Sequence, residues 1–191
     1  ASLFEDHLGL MPLSYWLPDQ SRSDRGHYMQ VVNLMNSLLP DTCRMQGKVS
    51  VRGGIRENLF EIGGISLPFR QLSDGYRAYI GWIGDMLFHM AMSSRRSKSR
   101  PRTLVESRGV VLVDEIDLHL HPEWQRTVMP TLAKALPNMQ FIVSTHSPLV
   151  VGSLESANLF VLDEDETGTN VRTLGERVHA RTSEQILLSP Y

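Results

Sequence analysis

The chain has 191 residues, 41% hydrophobic and 21% charged, which supports one globular domain or one large lobe with its own core and excludes a disordered tail. Nineteen basic against 21 acidic residues leave a net charge of −2, so no global field recruits nucleic acid or anionic lipid, although a local patch still could. The single cysteine, Cys43, excludes an internal disulfide and suits a reducing compartment such as the cytoplasm, and no apolar run is long enough to span a membrane.

In the first twenty residues Leu3, Phe4, Leu8, Leu10, Trp16 and Leu17 are interrupted by Glu5, Asp6, Pro12, Pro18 and Asp19. Nothing there resembles a cleavable signal. Residues 1–24 read as irregular or partly helical, with Pro12 and Pro18 breaking any long helix. Tyr28, Val31, Val32, Leu34, Met35, Leu38 and Leu39 then follow a helical spacing that Pro40 and Asp41 stop. Short β-prone pieces at 43–51, 58–62 and 65–67, separated by Gly53-Gly54 and Gly63-Gly64, predict an antiparallel meander.

A helix is expected from Tyr76 to Met92, with Ser73 at its N-cap. Tyr79, Ile80, Trp82, Ile83, Met86, Leu87, Met90 and Ala91 cover more than one of its faces, so it should be buried on several sides. Residues 93–108 carry Arg95, Arg96, Lys98, Arg100 and Arg102 among serines. They read as an exposed loop: either a solvated insertion, or a contact for nucleic acid or an acidic partner. No aromatic residue lies among the charges, which gives base stacking little support.

From there the pattern is β-α-β-α-β: strand Val110–Val113, helix Pro122–Leu136, strand Phe141–Val143, short helix Pro148–Leu154 and strand Leu159–Leu162. Continuous apolar strands alternating with helices predict a parallel sheet covered on both faces. Pro122 suits the first helical position, Trp124, Val128, Leu132 and Leu136 form its buried stripe, and Pro130 should kink it. The acidic turn Asp163–Gly168 should return the chain into Val171–Leu174 as an edge hairpin. A last helix is expected over Thr182–Leu188, cut short by Ser189-Pro190.

In a parallel sheet the strands end on one rim, where ligands bind. Asp114 and Glu115 follow the first strand, and Ser144, Thr145 and His146 follow the second, so a carboxylate pair and an imidazole should share that edge. Such an arrangement suits phosphoryl transfer: one carboxylate holds Mg²⁺, the second orients and deprotonates the attacking water, and His146 senses the terminal phosphate. Taken singly, the acids could be strand-end caps and His146 a structural histidine.

Three stretches carry a family resemblance. VVLVDE at 110–115 looks like a Walker B strand, LSDGYR at 72–77 like the signature motif of ABC-type ATPases, and STHSP at 144–148 like their switch-histidine segment, in that family's order. DEIDLHLHP most resembles the SMC-like ABC ATPases of the overcoming-lysogenization-defect group and AAA-type predicted ATP-binding proteins of bacterial defence and virulence loci. The resemblance spans roughly residues 60–165. It implies an α/β fold of the P-loop NTPase class: an ABC ATPase C-terminal lobe in which a parallel sheet is flanked by helices, with a small antiparallel meander near the N-terminal part. It further implies ATP and Mg²⁺ as cofactors, with Asp114 binding the metal, Glu115 acting on water and His146 contacting the γ-phosphate. Ser73, Asp74 and Gly75 fall at the grip on ATP held by another subunit, which makes a head-to-tail homodimer around sandwiched ATP part of the mechanism. A nuclease or nucleic acid is the kind of partner such a cycle would drive.

Some positions depart from the pattern. Asp74 replaces a glycine usual in transporter signatures and needs an arginine partner such as Arg77, and Tyr76 stands where transporters often have glutamine. His121 falls where many ABC proteins have an aspartate, so Asp117, His119 and His121 are either cross-subunit contacts or packing residues at the start of the helix. No G-x-x-x-x-G-K-[ST] occurs, and Gly47-Lys48-Val49-Ser50 lacks the upstream glycine. The chain also begins with Ala rather than Met. The expectation is one partial ABC-type domain: helix and meander over 1–68, signature and helix over 69–92, basic loop over 93–108, Walker B to switch core over 109–175 and a C-terminal segment over 176–191. Its P-loop half would lie upstream or have been lost, and the chain alone should hydrolyse ATP poorly or not at all. Two other readings stay open: a non-catalytic regulator that pairs with an intact ATPase, and a metal-dependent hydrolase using His119-Leu120-His121 with Asp114, Asp117 or His146.

Overall fold

A computed structural model describes residues 9–52, 55–96, 103–118, 120–165 and 168–173. Helix α1 (Leu13–Ser23) begins after Pro12 and runs through Pro18 instead of stopping there. The missing N–H costs one helical bond. The Pro18 carbonyl is engaged by the Ser21 hydroxyl at 2.7 Å and by Arg56 at 3.0 Å, while Leu13, Trp16 and Leu17 bury the helix face. Asp24 caps α2 (Arg25–Leu38) by accepting from the His27 N–H at 2.9 Å. That helix buries Tyr28, Val31, Val32, Leu34, Met35 and Leu38, so it lies at the centre of the core.

The meander forms as expected. Strands β1 (Cys43–Arg52), β2 (Ile55–Ile62) and β3 (Ile65–Pro68) pair antiparallel in chain order. Gly63 and Gly64 make the β2–β3 turn at φ 58° and 78°, where a side chain would be strained. Helix α3 (Asp74–Arg96) is longer than its apolar pattern, continuing past Met92 into the first residues assigned to the basic loop. Gly84 lets α1 approach it, since a Cβ there would lie 3.2 Å from Leu13 Cδ1. Lys98, Arg100 and Arg102 lie outside the described residues, as does the helix expected over 182–188.

After a 3₁₀ turn at Leu104–Glu106 come β4 (Gly109–Val113), α4 (Pro122–Ala135), β5 (Met139–Val143), α5 (Pro148–Val151), β6 (Phe160–Asp165) and β7 (Gly168–Thr173). Strands β4 and β5 are parallel and in register from Gly109↔Met139 to Val113↔Val143. Val111, Val113, Phe141 and Val143 face the core, which also holds Val128 and Leu132 of α4 and Leu136 just after it. Full burial of each leucine contributes about 1.5–3 kcal/mol.

Two sheet expectations are corrected. The third strand does not extend the parallel pair: β6 pairs antiparallel with β7 in a separate hairpin. Nor is the parallel sheet covered on both faces. Val110, Leu112 and Ile142 alternate with the core residues and are 55%, 67% and 50% exposed. Continuous apolar strands do imply two buried faces, but these three side chains of the second face remain half or more exposed.

Candidate functional site

The parallel register carries Asp114 and Ser144 out of adjacent strands side by side. Asp114 and Glu115 are exposed, whereas Ile116 and Leu120 are buried and pin the following turn to the core. Ser144 ties the two strand ends together. Its hydroxyl donates to Asp114 Oδ1 and accepts from the Glu115 N–H at 2.8 Å. Its own N–H donates to the Val113 carbonyl at 3.0 Å, and its carbonyl accepts from the Ile116 N–H at 3.1 Å. Within this clamp Glu115 adopts φ 48°, alone among the described non-glycine residues in being positive. That conformation is disfavoured for a residue with a Cβ and needs its surroundings to hold it. His146 is exposed two residues beyond Ser144, so the acids and the imidazole leave neighbouring strand ends on one rim.

A second set of bonds steadies the flank of the rim. The Thr145 hydroxyl donates to Asp117 Oδ1 and accepts from the Ser147 N–H at 3.0 Å. The Ser147 hydroxyl donates to Gln125 Oε1 at 2.8 Å, and Gln125 Nε2 returns to the Asp117 and Leu120 carbonyls at 3.3 and 3.0 Å. Ser147 also caps α5, accepting from the Leu149 and Val150 N–H groups. Asp117 is therefore engaged within its own chain. His121 is the N-cap of α4, its Nδ1 accepting from the Glu123 N–H at 3.4 Å, with the Glu123 carboxylate 3.9 Å away.

The signature-like residues sit apart from the acids. Ser73 and Asp74 are exposed and Gly75 half-buried at the start of α3, whose first backbone bond runs from the Arg77 N–H to the Ser73 carbonyl. Asp74 forms an ion pair with Arg77. The connection to the rim is aromatic: the Tyr76 ring packs on Trp124 of α4, and the Tyr76 hydroxyl shares a 2.8 Å hydrogen bond with Thr42. A cleft of about 1250 Å³ opens between α3 and β4, lined by Trp82, Asp85, His89, Leu112 and Asp114 among others. Among the described residues no three His, Cys, Asp or Glu side chains converge as a metal cluster, and His119 lies outside them. Sequence reasoning gave Ser144, Thr145, Ser147 and Gln125 no role. The available signal was a run of hydroxyl residues emerging from a strand next to one that ends in two acids.

The fold is that of the SMC-type ATPase heads on which the chain superposes at 16–17% identity. Residues 56–152, which run from β2 through α5 and include all three motifs, match the family described as "AAA domain, putative AbiEii toxin, Type IV TA system", and the chain belongs to that family. Among curated proteins it is 40% identical over 98 residues to "Retron Ec83 probable ATPase" of Escherichia coli, covering 51% of this chain and 17% of that protein. It is 38% identical over 101 residues to "Retron Vc95 probable ATPase" of Vibrio cholerae serotype O1 biovar El Tor, covering 53% and 19%. It is 40% identical over 95 residues to "Septu protein PtuA" of Bacillus mycoides (strain KBAB4), covering 50% and 12%. The matched stretch is thus less than a fifth of each relative. Among solved structures, a chain described under "Structural biochemistry of ATP-driven dimerization and DNA stimulated activation of SMC ATPases" superposes with TM-score 0.59 at 16% identity, over 87% of this chain and 92% of that one. An SmcHead bound to the C-winged helix domain of ScpA gives 0.51 at 17% identity, over 85% and 47%.

Proposed function

We propose that this chain supplies the Walker B, signature and switch-histidine parts of an ATP-hydrolysing domain that works as a head-to-tail dimer in the cytoplasm, in a defence-type protein. The observation that carries the reading is the Ser144 clamp joining Asp114 and Glu115 to the segment that holds His146, inside the family-matched stretch. Asp114 fits Mg²⁺, being an exposed carboxylate at a strand end with one oxygen engaged by Ser144. Such a cation needs only one or two carboxylates beside substrate phosphates, and when bound it would neutralise their charge. Glu115 orients the attacking water and takes its proton. His146 donates a hydrogen bond to the γ-phosphate. Ser73 and Gly75, with the N-terminal dipole of α3, bind the γ-phosphate of ATP held by the other subunit; Asp117 and His121 sit on the flank nearest that subunit.

The P-loop half of the site has no counterpart motif in this sequence. We propose that it is supplied by a segment outside these 191 residues, so this chain by itself turns over ATP poorly. The same absence supports a second reading, a regulator that binds ATP only beside a P-loop-bearing chain. A nuclease or nucleic acid is the partner class the cycle would act on. The test is Glu115→Gln in the protein extended by its native upstream sequence. Turnover should fall at least about 100-fold while an ATP-bound dimer accumulates on gel filtration. Unchanged turnover removes Glu115 as the base, and ATP binding that needs a separate P-loop chain favours the regulator.

A further inference from the structure

We infer that Ser144 is a positioning residue whose hydroxyl holds Glu115 in its left-handed backbone conformation and fixes which oxygen of Asp114 is free. The geometry is reciprocal. One hydroxyl donates its only proton to Asp114 Oδ1 and uses a lone pair to take the Glu115 N–H at 2.8 Å, so its rotor is set by both acids at once. The two backbone bonds from Ser144 to Val113 and Ile116 bracket the same turn. Any residue but proline at 144 would keep those backbone bonds; the hydroxyl supplies the other two. Ser144 is exposed, so its side chain adds little packing, and its contribution lies in these bonds.

Without the hydroxyl, the Glu115 N–H loses its partner and the strained φ of 48° loses the contact that over-determines it. The Glu115 carboxylate would then swing with its backbone, and Asp114 would rotate freely about its last side-chain torsion. The strand that leads into His146 therefore also sets the pose of the acids on its neighbour. A displacement of the 144–146 segment is transmitted to Glu115 through this side chain and the two backbone bonds beside it.

The functional meaning rests on Asp114 and Glu115 being the acids of the ATP reaction, whereas the test needs no turnover and so fails or succeeds independently of the Glu115→Gln experiment. In the labelled 191-residue chain, Glu115 should show the strong intraresidue HN–Hα NOE of a positive φ. Ser144→Thr should keep it and Ser144→Ala should lose it. Ser144→Ala should also lower the thermal midpoint by about 2–4 °C. In a Glu115→Gly background that drop should shrink by at least half, because glycine adopts positive φ unaided. Ser144→Cys, similar in shape but a weak donor, is measured alongside in case the alanine variant does not fold, and should behave like alanine. Persistence of the NOE in the alanine or cysteine variant, or equal midpoint drops in the two backgrounds, overturns the proposal.

Discussion

The ring of Tyr76, in the first turn of α3, lies 4.6 Å from the ring of Trp124 in the first turn of α4, at an interplanar angle of 57°. Tyr79 reaches the same indole at 6.0 Å. Trp124 is thus the contact through which the signature-like helix feels the helix that follows the acidic rim. Trp124→Ala should lower the unfolding free energy by roughly 2–4 kcal/mol, from lost area and lost ring pairing, read by urea denaturation. Tyr76→Phe keeps the ring and loses only the Thr42 bond, so its cost should stay near about 0.5–1 kcal/mol. Equal costs for the two variants would show that the ring contact is not what couples the helices.

Burial pushes the Cys43 thiol up from 9.0 to about 11. The folded state thus favours the protonated form. Its stabilising contribution is complete below pH 9 and is lost as pH rises through about 11. Stability should fall more steeply between those values in the native chain than in Cys43→Ala. A disulfide-exchange reagent at pH 8 should label Cys43 only at the rate of unfolding; fast labelling of the folded chain would contradict the burial.

Val110, Leu112 and Ile142 lie on one face of the paired strands beside Gln140, and Phe160 and Leu162 on β6 are 63% and 68% exposed. Apolar surface gathered in this way favours association or dye binding. Leu112→Ser with Ile142→Ser should reduce the fluorescence of a bound hydrophobic dye severalfold and raise the concentration at which the chain aggregates, while the thermal midpoint shifts little because neither side chain is buried. A large loss of stability instead would mean that this face is covered in the folded chain.

Local patterning made the elements legible wherever one residue type decides one feature. Gly63-Gly64 fixed a turn, Pro122 a helix start, and the stripe Val128, Leu132, Leu136 a buried face. The β-α-β pattern brought the residues that follow β4 and β5 to a common rim, because parallel strands in register must end together. Pro18 was misread: its carbonyl partners, Ser21 and Arg56, include one 38 positions away that no local pattern reveals. The separation of β6 from β5 was equally hidden, since an apolar strand announces that it is buried but not which edge it joins. The Ser144 clamp was out of reach for the same reason: it is a relation between two strands 30 residues apart, carried by a residue whose identity alone suggests a cap.

Asp74 places a carboxylate in the first turn of α3, where the helix dipole welcomes it, yet on the reading proposed above it also faces the phosphates of a neighbouring molecule. Arg77 resolves the conflict by pairing with it one turn later. Both side chains are largely solvated, so the pair itself adds at most about 1 kcal/mol to stability, and Arg77→Ala should shift the thermal midpoint by no more than a few degrees. Its effect should fall on association. In the P-loop-bearing Glu115→Gln protein, removing Arg77 leaves a bare negative charge at the subunit junction and should weaken the ATP-bound dimer by about tenfold, equivalent to roughly 1.4 kcal/mol, measured by sedimentation at fixed ATP. Adding Asp74→Asn to Arg77→Ala should restore much of that loss, since the repulsion goes with the carboxylate. If the double variant dimerises no better than Arg77→Ala alone, the arginine is acting on the phosphate directly and not through Asp74.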